Sequence, residues 1–361
     1  MKTKKIDFWD SIGNPKYALA PMVDHSDLPF RLLCRKYKTE LTYTQMYNVN
    51  TLTTEDVFEK TIMKEINEID NPCFIQFASH DPEILLKSAK FVEKKTPCID
   101  LNLGCPQKIA KNGFYGAFLL DHPDEVYKII GYLCNNNLKC GISCKIRLFN
   151  NLEKSYELCK KLEELGINCL CVHGRTKEEI KEKIGKCNWD SIKVIKSLLK
   201  IPIIANGGIE TFDDVIKCFD YTKCDCVMSG EKLLENPSFF TGKIYDIDNI
   251  AIEYINLWKG FNLNYINDNL HIIRGHLFKI FYSAMQKEPK FNQMLAKSKS
   301  LDDILNIAYQ IKEMRKNDNL ESKFGWYRRY RDKINKKENI NENDYENNND
   351  LNEEIIGDFF Q

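Results

Sequence analysis

Short apolar runs alternate with helix-period segments from residue 17 to residue 230, and this alternation constrains the fold more than any other feature. The runs cover 17–22, 40–46, 72–78, 98–103, 142–148, 169–173, 201–206 and 226–228. Between them lie helical patterns at 28–37, 54–66, 81–95, 121–135, 152–165, 189–199 and 211–219. Asp81-Pro82 offers an N-cap followed by proline at the first helical position, and Gly166 is a natural residue to close 152–165. Eight strands separated by helices over about 240 residues are the signature of an α/β (β/α)₈ barrel. A doubly wound open sheet is the alternative.

Past Pro237 the pattern changes. Residues 250–316 show only helix-period apolar spacing, so a small all-helical domain is expected after the barrel. The segment Lys323 to Lys333 interleaves cations with Phe324, Trp326, Tyr327 and Tyr330. It fits RNA contact and a solvated helix face packing its aromatics equally well. From Glu338, Asn and acidic residues dominate, which reads as a solvated, disordered tail.

Formal net charge is zero, so no global field favours nucleic acid, and such a partner would need a local patch. The 14 cysteines include two C-x-C pairs, Cys169/Cys171 and Cys224/Cys226, and no C-x-x-C pair. Alternation along a strand turns both thiols of such a pair to one face, so core packing is expected and no metal site. The basic N-terminus precedes no signal-length apolar run, and no segment is long enough to span a bilayer. A reducing, cytoplasmic location follows, with the nucleus as the other option.

In a (β/α)₈ barrel the active site lies at the C-terminal strand ends. In strand order those ends carry Pro21-Met22, Gln45, Gln76, Asn102 with Cys105, Lys145 with Arg147, His173 with Arg175, Asn206-Gly207-Gly208, and Ser229-Gly230. The glycine-rich turns after the last two strands leave N–H groups free to cradle a phosphate, which implies a phosphorylated cofactor. Lys145 and His173 can place positive charge against a ring that becomes anionic on reduction, as a flavin does. Lys145 can equally be an ion-pair partner at the mouth. Cys105 sits between Gly104 and Pro106 at a strand exit, and Gly113 and Gly116 flank two aromatics in the following loop. A loop of that make-up suits a mobile cover over a pocket.

Taken together, Ala20-Pro21-Met22, Asn102 to Gln107, Ile109-Ala110-Lys111, Gly116 to Leu119, Cys144 to Arg147, Val172 to Thr176, Ala205-Asn206-Gly207 and Asn236-Pro237 resemble the tRNA-dihydrouridine synthases. The Cys-Pro-Gln-x-Ile-Ala-Lys run followed by Tyr-Gly-Ala-Phe-Leu resembles the eukaryotic 16/17 subfamily in particular, and His276 to Lys279 resembles the family's helical domain. The resemblance implies an FMN enzyme that uses NADPH, or NADH, to reduce the C5–C6 bond of D-loop uridines in tRNA. Cys105 would be the general acid. Pro21, Met22, Gln76, Lys145, His173, Asn206, Gly207, Gly208, Gly230 and Glu231 would hold FMN. Asn102 and Arg175 would contact uracil, with Arg147 and Lys111 also on the substrate side. Gly208 and Glu231 depart from the phosphate turns of many members. The domains would be a catalytic barrel at 1–245, a tRNA-binding helical domain at 246–337 and the tail at 338–361, in a monomer.

Two other readings compete. One is a flavin barrel oxidoreductase acting on a free pyrimidine, as dihydroorotate dehydrogenases do, which leaves the helical domain without a task. The other is a tRNA-binding protein whose barrel no longer does chemistry.

Overall fold

The computed structural model describes residues 8–52, 55–180 and 183–316. The basic-aromatic run 323–333 and the tail from 338 lie outside them. Among the described residues there are nine parallel strands: β1 Tyr17–Leu19, β2 Thr42–Tyr43, β3 Tyr47–Asn48, β4 Cys73–Ala78, β5 Cys98–Leu103, β6 Gly141–Leu148, β7 Cys169–Thr176, β8 Ile203–Asn206 and β9 Cys226–Ser229. Their order is β1-β9-β8-β7-β6-β5-β4-β2, with β3 also on β4. The ring closes between β1 and the residue before β2, where Leu19 N donates to Leu41 O at 2.9 Å and Leu41 N to Tyr17 O at 3.0 Å. This is the (β/α)₈ barrel that the alternation predicts.

Of the strand expected at 40–46 only Thr42–Tyr43 is regular, and a second short piece, Tyr47–Asn48, lies beyond that range. Thr44 lies between them, and its hydroxyl accepts from Gln76 N at 3.2 Å where a strand carbonyl would otherwise serve. A side-chain oxygen competing for a ladder donor interrupts regular pairing.

Several helices begin at a side-chain cap. Asp81 accepts from Glu83 N and Ile84 N to open Pro82–Val92, and Thr211 forms a capping box with Asp214 to open Phe212–Thr222. Gly166 closes Leu152–Leu165 at φ 105°.

Inside the barrel, alternate residues of each strand meet. Tyr43, Phe74, Cys98, Cys169, Cys171, Ile204, Cys226 and Met228 form one apolar cluster with Trp9. Trp9 comes from the short helix Phe8–Ser11, and Phe8 of the same turn lies 6.2 Å from the Phe74 ring. Cys98, Cys169 and Cys226 are the first residues of their strands, so this helix plugs the N-terminal end of the barrel. Cys169 and Cys171 are core residues, as their spacing predicts.

A buried cation organises the β1 exit. Arg31, on helix Leu28–Lys36, is fully buried and donates to Asp70 at 2.6 Å, to Ser26 O at 2.6 Å and to Glu65 O. Ser26 in turn bonds Ala20 O and Met22 N, both at 2.9 Å, which fixes the loop leaving β1.

The chain divides into two units. One runs to Leu233 and includes 237–244; the other takes 234–236 and the residues from Tyr245. The second unit is helical: Ile247–Trp258, Leu263–Asp268, Leu270–Ile280, Tyr282–Lys287, Lys290–Lys297 and Leu301–Lys316. Tyr254, Trp258, Ile273, Leu277, Phe281 and Ile311 are buried in it, and His276 lies 4.9 Å from the Tyr254 ring. No helix among the described residues is long and apolar enough to cross a membrane.

Candidate active site

The strand register lines up the polar residues. Gln76 lies beside Asp100, Asn102 beside Lys145, Arg147 beside His173, and His173 beside Asn206. Asn102, Arg147, His173 and Asn206 stand near the C-terminal ends of inward-facing rows of period two, Asp100 and Lys145 one step below, and lower members such as Cys98, Cys169, Cys171 and Ile204 are apolar. The interior therefore turns from apolar to polar toward the C-terminal ends.

A continuous hydrogen-bond chain links three strands to the Cys105 loop. Ser143 Oγ donates to Asp100 Oδ1 at 2.6 Å, and Gln76 Nε2 donates to Asp100 Oδ2 at 2.7 Å. Asn102 Nδ2 donates to Gln76 Oε1 at 2.7 Å, while Asn102 Oδ1 accepts from Gly104 N at 3.0 Å and Cys105 N at 2.9 Å. Both lone pairs of Asn102 Oδ1 are thereby used, so this amide has one N–H left for a ligand. Burial pushes the Asp100 carboxyl up to about 6, opposed by the bonds from Ser143 and Gln76 and by Lys145. Asp100 and Ser143 escaped the sequence reading because each sits mid-strand and not at a strand end.

Cys105 is held from a second side. Ala117 N donates to Cys105 O at 3.0 Å, and a Cβ on Gly116 (φ 67°) would stand 2.8 Å from that oxygen. Only glycine fits this turn. Gly113 has φ −86°, and the left-handed residue beside it is Phe114 at φ 51°. The loop thus bends at an aromatic and not at the first glycine, and its middle is the helix Lys108–Asn112. Cys105 packs with Ala78, Ala110 and Tyr115. Burial raises its thiol above the ordinary value, against the pull of the Gln107 backbone, Arg147 and Lys145. The thiol is protonated at neutral pH.

Four nitrogen-bearing side chains gather beside it. Lys145, half-buried, makes no hydrogen bond or ion pair among the described residues, and burial pulls its ammonium down. Arg147 donates to Gly104 O at 2.9 Å and Thr176 O at 2.8 Å; burial, then Arg175, bring it to about 10, still charged at neutral pH. Arg175 donates to Gly185 O at 2.8 Å and lies 3.4 Å from His173 Nε2, while its Nη2 is buried without a partner. Burial and these three cations hold His173 well below its usual range, so its ring is neutral. An unpartnered buried guanidinium N–H and an unpaired ammonium fit an anionic group.

The glycine turn closes the other side. Gly207 and Gly208 have φ 99° and 75°, and Cβ atoms there would lie 2.6 Å from His173 Cδ2 and 2.8 Å from Cys187 Cβ. Trp189 Nε1 donates to Gly207 O at 3.1 Å, and Asn206 Nδ2 donates to Met228 O at 3.1 Å. Cys187 and Trp189 support this turn from a neighbouring helix start, which no local pattern announces. A Cβ on Gly230 would stand 3.2 Å from Met22 Sδ, so the exits of β1 and β9 meet there and bring Pro21 with them. Glu231 opens the helix Glu231–Glu235. Lys111 is exposed on Lys108–Asn112 and takes no part in the strand-end chain. A cavity of about 200 Å³ opens beyond Arg147, lined also by Asn150, Asn151, Lys154 and Lys177.

Fold and site together are those of a (β/α)₈ barrel with a protonated thiol beside a cluster of cationic side chains at the C-terminal strand ends. The chain belongs to the dihydrouridine synthase family, whose model matches residues 18–351. It is 34% identical over 313 residues to a tRNA-dihydrouridine(16/17) synthase [NAD(P)(+)]-like protein of Mus musculus, covering 86% of this chain and 65% of that one. It is 37% identical over 300 residues to the tRNA-dihydrouridine(16/17) synthase [NAD(P)(+)] of Saccharomyces cerevisiae, with 80% and 70% covered. A Homo sapiens tRNA-dihydrouridine(20a/20b) synthase [NAD(P)+]-like protein is also 37% identical, over 248 residues, with 65% and 75% covered. The chain thus spans about two thirds of the length of the mouse relative.

Proposed function

We propose that this chain is a tRNA-dihydrouridine(16/17) synthase that reduces the C5–C6 bond of D-loop uridines, using FMN and NADPH or NADH. The observation that carries the reading is a protonated Cys105, fixed by Asn102, beside the unpaired Lys145. The mouse and yeast relatives, matched over 300 residues or more, bear the 16/17 name, which supports that pair of positions.

Gln76, Lys145, His173, Asn206 and the glycines Gly207, Gly208 and Gly230 would hold FMN, with Pro21, Met22 and Glu231 beside them. FMN held there would, once reduced by the nicotinamide nucleotide, supply the hydride for C6 of the uracil. Cys105 Sγ–H gives the proton to C5, and its raised pKa keeps that proton in place until carbanion character develops. Asn102 presents one N–H to a base carbonyl, and Arg147 and Arg175 hold positive charge near the oxygens that gain electron density. The base must leave its stack to reach this depth. The helical unit, with Lys111 on the barrel side, would carry tRNA contacts.

Position-mapped nucleoside mass analysis tests this, on tRNA from cells lacking the gene incubated with protein, FMN and NADPH. Gain of two hydrogens on D-loop uridines is the expected result. No gain from flavin-loaded protein, together with turnover of dihydroorotate, would replace it with a free-pyrimidine reaction.

A further inference from the structure

Asp100 lies one layer below the residues that would meet a ligand, fully buried, and its carboxylate is the terminus of the chain that ends at the Cys105 backbone. Every link has a fixed sense. The N–H groups of Gly104 and Cys105 can only donate, so Asn102 must turn Oδ1 to them and Nδ2 to Gln76. Gln76 must then offer Oε1 to Asn102 and Nε2 downward, toward a group that accepts. An ionised carboxylate is acceptor-only, and Asp100 stands at that point with its second oxygen taken by Ser143. A flip of either amide would set two donors or two acceptors face to face inside the barrel.

We propose that Asp100 is a positioning residue for the reaction: its carboxylate locks the Gln76 amide, Gln76 locks the Asn102 amide, and Asn102 fixes both the Cys105 backbone and the single N–H offered to the base. Asp100 touches neither thiol nor base, and acts through two intervening amides. The inference deepens the reading above and rests on it for the catalytic readout. The thiol readout below does not depend on that reading.

Two neutral replacements of Asp100 should differ. In Asp100→Asn the new amide can accept from Gln76 Nε2 through its oxygen and donate to Ser143 Oγ, because a hydroxyl also accepts. The chain keeps its sense. Asp100→Ala leaves Gln76 Nε2 without an acceptor, so the Gln76 amide is held only through Oε1 and loses the lower anchor that fixes its position against Asn102.

Two measurements test this on full-length protein: the alkylation rate of Cys105 by iodoacetamide, mapped by peptide mass, and kcat for uridine reduction. Asp100→Ala is expected to change the Cys105 rate severalfold and to lower kcat about tenfold to a hundredfold, with KM for tRNA within about twofold, as for a misplaced reacting group. Asp100→Asn is expected to stay within about threefold of wild type in both, since one hydrogen bond is exchanged for another. Wild-type values from folded Asp100→Ala would overturn the proposal, and so would an Asp100→Asn as impaired as Asp100→Ala. Should Asp100→Ala not fold, the double variant Asp100→Asn/Ser143→Ala takes its place. Removing the hydroxyl takes away what orients the new amide, so the double variant must fall below Asp100→Asn; equality overturns the proposal. A wild type that alkylates normally but reduces no uridine would count against the proposed reaction alone, leaving the thiol comparison to judge Asp100.

Discussion

Asn102 Oδ1 accepts a hydrogen bond from the backbone N–H of Cys105 at 2.9 Å, so the last polar residue of β5 fixes the cysteine three residues beyond it. Strand and loop are one rigid piece at this point. The same amide caps Gly104 at 3.0 Å, which leaves the strand exit no freedom to drift.

Removing that amide is therefore predicted to act on chemistry and stability together. Asn102→Leu leaves two N–H groups without their acceptor, a cost of about 1–3 kcal/mol each if they stay dry. A lowered denaturation midpoint and a changed Cys105 alkylation rate would be seen in the same sample. An unchanged alkylation rate would show that the loop is held by the Ala117 bond alone.

Cys105→Ala is predicted to keep flavin and NADPH oxidation while uridine reduction falls about 10²–10⁴-fold, the usual contribution of a positioned acid. Nucleoside mass analysis and flavin absorbance give the two halves. Loss of flavin from this variant would mean that Cys105 is structural.

The thiol's protonation has its own test. Burial raises Cys105, so its reaction with iodoacetamide should reach half-maximal rate at a pH above that of an ordinary cysteine thiol. A midpoint below the ordinary value would make Cys105 a thiolate and rule out the acid role.

Asp100 carries a pH signature of stability. Its carboxyl is held at about 6 in the fold against an ordinary 3.8, so the folded state keeps a proton that the unfolded chain has released between those values. The group's contribution is full below 3.8 and is lost as pH rises to about 6. With the shift near two units, that loss is on the order of 2–3 kcal/mol at neutral pH. Asp100→Asn should remove this slope, so its stability relative to wild type rises from pH 4 to pH 7 in urea denaturation. A parallel pair of curves would contradict it.

At the glycine turn, Gly207→Ala and Gly208→Ala should each destabilise by about 1–3 kcal/mol, since both need a left-handed backbone and both lack room for a Cβ. Flavin content should fall in the same proteins. Gly131→Ala is the control: it sits inside the helix Pro123–Asn135, and its Cβ would meet nothing nearer than 3.5 Å. Alanine there should be neutral or stabilising.

The sequence by itself determined the architecture, because in a barrel each strand and helix announces itself locally through apolar runs, caps and closing glycines. Leu152–Leu165 ends at its Gly166, and Cys98–Leu103 was legible to the residue. The strand ends that converge on the mouth could also be named, since strand polarity puts all of them at one end. The motif resemblance named the family, and the family model agrees. What only the tertiary structure decided is the set of partners brought together across strands. Asp100 reads as one polar residue in an apolar strand until β4 and β6 place Gln76 and Ser143 against it. Cys187 reads as another core thiol until it backs the Gly207-Gly208 turn. The bond from Asn102 to Gln76 and the part that Arg147 plays in keeping His173 neutral each come from a residue 26 positions away. Such facts depend on distance in space and on water excluded by packing, and a pattern along the chain records neither.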